Sequence, residues 1–82
     1  TAVTVNPNPV TDKLLIKNVM SYDSDVIVTI STTQGDVIHT LTIPKGSVVQ
    51  EEVTMSNLPS GIYMVRIKLG NGEVKTVKIA KI

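Results

Sequence analysis

The chain contains no cysteine, no tryptophan and no phenylalanine, and it has a single histidine, His39. Without cysteine there is neither a disulfide nor a thiolate metal site, and one imidazole cannot complete a zinc cage. Only Tyr22 and Tyr63 are aromatic, which removes the stacking platforms that single-stranded nucleic acid requires. Charge of one sign is also scarce. Eight Lys and Arg against seven Asp and Glu leave a formal net charge of +1, too little for a long-range field that would gather nucleic acid. No apolar run approaches the roughly 20 residues of a membrane-spanning helix. The opening "TAVTVNPNPV" has neither the basic start nor the apolar block of a signal peptide. The expectation is a domain with no cofactor and no nucleic-acid partner that does not span a membrane. It starts at Thr1 without an initiator Met, as a piece of a longer protein would.

What remains is an aliphatic chain of 82 residues, read as one domain over 1–82. A chain of this size buries only about two thirds of the surface its unfolded form exposes. With no staple to help, Val, Ile, Leu and Met must fill the core, and the abundance of Val, Ile and Thr favours strands. Seven short apolar or alternating runs recur: "AVTV" (2–5), "KLLIK" (13–17), "VIVTIS" (26–31), "DVIHTLTI" (36–43), "VVQEEVTM" (48–55), "GIYMVRIKL" (61–69) and "VKTVKIA" (74–80). Turn formers separate them: "NPNP", "SYDSD", "TQGD", "PKG", "NLPSG" and "GNG". No segment sustains a helical period, so an all-β sandwich or small barrel with no substantial helix is predicted.

The last two strands can be placed in register. A two-residue Asn71-Gly72 turn would set Val65 opposite Lys78 and mix apolar with charged residues on both faces. A Gly70-Asn71-Gly72 loop with Gly72 left-handed instead brings Tyr63 to Ile79 and Val65 to Val77, giving one apolar face. Met64, Arg66, Lys68, Thr76 and Lys78 then lie outside. Five of the eight basic residues fall between 66 and 81. That basic face suits either docking of an acidic surface or protection of an edge strand against aggregation. In "NLPSG", Pro59 fits position i+1 and Gly61 position i+3 of a type I turn, with Leu58 capping the core. Tyr63 follows that loop at the start of the penultimate strand. It resembles the corner tyrosine of immunoglobulin-type sandwiches, whose hydroxyl bonds to nearby backbone; a structural role is favoured over ligand contact.

Chemistry is sparse. His39 is the only side chain with an ordinary pKa near neutrality, and in "DVIHTLTI" its neighbours at i±2, Val37 and Leu41, make it an edge or half-buried packing residue. No nucleophile elbow, phosphate loop or zinc-binding helix is present. Asp23 and Asp25 flank Ser24 in a loop; Asp-x-Asp alone is a weak calcium signal, and a solvated turn is favoured. Glu51 and Glu52 are neighbours on a strand and face opposite sides, so they do not form a cooperating pair. An enzyme is not expected.

Taken in order, "NPNPVTDKLLI" (6–16), "GDVIHTL" (35–41), "LPSGIYMVRI" (58–67) and "KTVKIAK" (75–81) resemble the type A C-terminal sorting domain of cargo proteins of the type IX secretion system of Bacteroidetes. The matching features are Pro7, Asn8 and Pro9 with Leu14 and Ile16; Gly35; Leu58, Pro59, Gly61 and Tyr63; and Lys78 with Lys81. Two departures are visible. "STTQGD" replaces the aromatic-Asp-Leu type of turn common before Gly35, and Ile82 follows Lys81, where relatives commonly stop near the lysine.

The resemblance implies an immunoglobulin-like sandwich of about seven strands that directs an attached N-terminal cargo across the outer membrane. The parent would pass through the periplasm, be selected by the translocon through this domain, and reach the cell surface or the outside. There a sortase-like peptidase would remove the domain, commonly joining the cargo to an anionic lipopolysaccharide. The translocon would read Pro7, Asn8, Pro9, Gly35, Leu58, Pro59, Gly61, Tyr63, Arg66, Lys68, Lys78 and Lys81, above all through the last two strands and the "NLPSG" turn. This reading requires Ile82 to lie at or near the natural C-terminus. Exposed edges leave both a monomer and a strand-exchanged dimer open. The alternative is a fibronectin type III-like adhesion or glycan-binding domain, because "LPSGIYMVRI" also resembles that family's loop and tyrosine strand. Against it stand the missing Trp of the early core strand and the missing aromatic platform for sugars.

Overall fold

The computed structural model describes residues 3–18 and 22–82; Ala2 of the first expected strand and Ser21 of the "SYDSD" turn lie outside them. Alternating aliphatic and polar residues build seven strands: β1 (Val3–Asn6), β2 (Lys13–Asn18), β3 (Val26–Thr32), β4 (Val37–Ile43), β5 (Gln50–Thr54), β6 (Gly61–Lys68) and β7 (Val74–Lys81). No helix occurs among the described residues. The strands pair antiparallel in two sheets, β1-β2-β5 and β4-β3-β6-β7. This is an immunoglobulin-like sandwich. Its smallest extent, 16 Å, suits two layers about 10 Å apart.

The period of two is visible in the core. Val26, Val28 and Ile30 of β3, Val65 and Ile67 of β6, and Ile79 of β7 meet Leu14 and Ile16 of β2, and all are buried. Each such aliphatic side chain contributes roughly 1.5–3 kcal/mol by leaving water, so a core without aromatic bulk needs every strand. The expected register of the final hairpin is observed: Tyr63 pairs with Ile79 and Val65 with Val77. Leu69 and Glu73 close the Gly70-Asn71-Gly72 loop, and Gly72 has φ +91°. Met64 is half-buried on the outer face, and Arg66, Lys68, Thr76 and Lys78 are exposed there.

Three local expectations are corrected. The hydrogen-bonded turn before β6 spans Met55 to Leu58, where the Leu58 N–H donates to the Met55 carbonyl, and does not centre on Pro59. Gly61 is needed for its own φ of +153°, which an L side chain rarely adopts. β5 begins at Gln50, not Val48, because Asn18 interrupts the ladder: its Oδ1 accepts the Val49 N–H at 2.6 Å and its Nδ2 donates to the Ser47 carbonyl at 2.8 Å. Finally, the ladder shifts between Ile30 and Ser31, so Val37 pairs with Ser31 and is exposed, while His39 pairs with Ile30. The bulge breaks the simple i±2 alternation that placed Val37 beside His39.

Candidate recognition surface

Cross-sheet contacts mark two sides of the sandwich: at one the segment after β1 meets β7, and at the other β5 meets β4. Each side is closed by a polar device. On the β5/β4 side, His39 Nε2 lies 2.8 Å from Glu51 Oε2, and both side chains are about one third exposed. His39 is therefore the half-buried edge residue expected, with the added task of tying the sheets together. Glu51 shares the inward side of β5 with buried Val53, while Glu52 points out to solvent.

On the β1/β7 side, the "NPNPV" segment leaves β1 and lies along the tail of β7. Both X-Pro bonds, Asn6-Pro7 and Asn8-Pro9, are cis. Asn8 then serves as a strand partner through its side chain: Oδ1 accepts the Ala80 N–H at 3.0 Å, and Nδ2 donates to the Lys78 carbonyl at 2.9 Å. The Val10 N–H donates to the Ala80 carbonyl at 2.8 Å, and the Ile82 N–H donates to the Val10 carbonyl at 2.9 Å, forming a parallel bridge. Val10 itself is fully buried. Three edge groups of β7, and the N–H of Ile82 just past it, that would otherwise face solvent are thereby paired.

This strap brings together motifs that lie far apart in the chain. Lys81 pairs with Gly61, and Thr32, where β3 ends ahead of the Gly35 turn, pairs with Tyr63. Gly35 has φ +95° in that turn. The Tyr63 hydroxyl donates to the Pro59 carbonyl at 2.7 Å, the corner role expected of it, and Leu58 packs half-buried against the core. Pro7, Asn8, Pro9, Gly35, Leu58, Pro59, Gly61, Tyr63, Lys78 and Lys81 thus belong to the end and edge of the sandwich where β3, β5 and β7 finish and β6 begins.

Arg66 and Lys68 do not join them. They lie farther along β6, opposite Thr76 and Val74. With Ile27, Thr29 and Val74 they line a shallow groove of about 250 Å³ on the outer face of the four-stranded sheet. Outward-facing residues of that sheet include Arg66, Lys68 and Lys78. No carboxylate occurs among the described outward positions of β3, β4, β6 and β7. Asp25 has a structural task instead, its Oδ1 accepting the Lys45 N–H at 2.9 Å.

The pattern for a secretion system C-terminal sorting domain matches residues 4–81, nearly the whole chain. The chain belongs to this family. No curated protein and no solved structure gives a significant match. A sorting domain of type IX secretion is a signal, carried on a cargo, that engages this secretion system and leads to the cell surface or the extracellular space. No helix among the described residues of the sorting domain is long and apolar enough to cross a membrane.

As a sequence, "NPNP" reads as a breaker and, by resemblance, as a recognition element. The grip of Asn8 on β7 is not legible there, because nothing local marks a partner about seventy residues away. Asn18 was missed too. A polar residue ending an aliphatic strand, "KLLIKN", is the only signal it leaves.

Proposed function

We propose that residues 1–82 act as one folded, non-catalytic address read by the type IX translocon at the strap end of the sandwich and along the basic outer face. The observation that carries this reading is the family match over residues 4–81, together with the convergence of the shared motifs around β7. The cargo precedes the domain, crosses the periplasm with it, and is freed at the cell surface by a sortase-like peptidase. Pro7, Asn8 and Pro9 support the terminal strand, while Pro59, Gly61 and Tyr63 hold the adjoining turn. In this proposal their part in recognition is to present a fixed shape, and Arg66, Lys68, Lys78 and Lys81 supply the charge. The adhesion alternative gains little from the tyrosines, since Tyr63 is buried and Tyr22 half-buried.

The test is a secreted reporter fused to residues 1–82 in a host with this machinery, compared with the same fusion carrying Arg66→Glu, Lys68→Glu and Lys78→Glu. These side chains are exposed, so the variant should fold with a melting temperature within a few degrees of the parent, as surface changes usually do. Export should fall severalfold. Full export of the folded triple variant would remove the basic face from the proposal.

A further inference from the structure

We propose that the uncovered first half of β7, from Val74 to Lys78, is a strand-addition site for an acidic, extended segment of a partner protein. The inference deepens the export reading by giving the partner's chemistry, and it is tested on the isolated chain so that it can fail while export itself stands.

The edges of the sandwich are not equally protected. β1 and β5 are short, with four and five residues, and short edges are poor templates for pairing. β4 carries the register shift against β3 and is tied to β5 through His39 and Glu51. β7 instead runs eight residues in unbroken register with β6. The Leu69 N–H to Glu73 carbonyl bond, 2.8 Å, shows that the odd-numbered residues of β7 exchange backbone bonds with β6. The even-numbered residues therefore direct their N–H and C=O groups away from the sheet. From Lys78 C=O onward these groups are taken by Asn8 and Val10. The N–H and C=O of Val74 and Thr76, and the N–H of Lys78, are left for a partner.

Charge selects the occupant. Lys78 stands on the outer face of this edge and Lys75 on the opposite face, both exposed, while Arg66 and Lys68 lie one strand deeper. Exposed Val74 borders the groove with Ile27. A second copy of β7 would bring lysines against lysines, whereas an extended acidic segment gains main-chain hydrogen bonds and opposite charge together. The strap sets the length of the site: a visiting strand can run from the Gly70-Asn71-Gly72 loop until it meets Asn8.

The probe is an end-capped octapeptide of alternating Glu and Thr, titrated to millimolar concentration into isotopically labelled protein and followed by amide chemical shifts and hydrogen exchange. We expect the largest shifts at Val74, Thr76 and Lys78, with slowed exchange of those three amides. The Lys-Thr counterpart should bind about tenfold more weakly or not at all. A Glu-Thr peptide N-methylated at alternate residues, on the hydrogen-bonding side, should also lose about tenfold, because it keeps every charge but not the ladder. Equal binding of the methylated peptide would overturn strand addition in favour of plain charge attraction. Shifts confined to β4, or none at this edge, would overturn the site. Self-association through β7 on sedimentation, in place of peptide binding, would assign the edge to a second copy and overturn the acidic partner.

Discussion

Tyr63 and Asn8 show how single polar groups fix a body that has no staple. The Tyr63 ring is buried while its hydroxyl reaches the Pro59 carbonyl at 2.7 Å. Tyr63→Phe should keep the fold and cost about 1 kcal/mol, the net worth of one hydrogen bond, measured as a lower midpoint in urea with an unchanged slope. Asn8→Ala removes two hydrogen bonds at a solvent-facing site, where water can replace the partner. The expected loss is again about 1 kcal/mol, but with a local signature: exchange at the Ala80 amide should accelerate more than exchange at the buried Ile67 amide. Tyr63 was legible in the sequence because its loop, strand position and aromatic type all point to one role. The grip of Asn8 was not, because the Asn-Pro pattern specifies a bend locally and says nothing about which strand edge lies beside it.

At the scale of elements, the final hairpin was legible down to its register. One loop choice put apolar residues on one face and the other did not, and burial penalises the mixed arrangement on every pair. The neighbouring β5 was less legible at its start, because Val48 and Val49 look like strand residues. The side chain of Asn18 takes the Val49 N–H that a continued ladder would have used, a tertiary event with no local trace. The bulge at Ile30 and Ser31 belongs to the β3–β4 hairpin itself, beside the Thr32–Asp36 turn, and the simple alternation of the run missed it and with it the exposure of Val37. The structural weight of β7 is testable through Ile79, which is fully buried in the last strand. Ile79→Ala should cost about 2–5 kcal/mol, seen in thermal or urea unfolding. Removing the strand altogether should unfold the domain, so loss of export on truncation cannot by itself identify a contact.

For the whole molecule, the aliphatic composition and evenly spaced turns announced a two-layer β body, and four ordered motifs announced its family. What the order of motifs could not reveal is that the first and last of them touch. The strap joins the segment after β1 to β7, so the shape presented at that end exists only when these two distant parts of the chain are folded together. Arg66 and Lys68 lie apart from this end, opposite Thr76 and Val74 farther along β6. The central claim is that this folded shape is itself the export signal. Its most direct measurement is the fraction of a reporter, fused ahead of residues 1–82, that reaches the cell surface or medium in a type IX host and in a strain lacking the translocon. Our account predicts export in the first and periplasmic retention in the second. Retention in both, with the domain intact and folded, would contradict it.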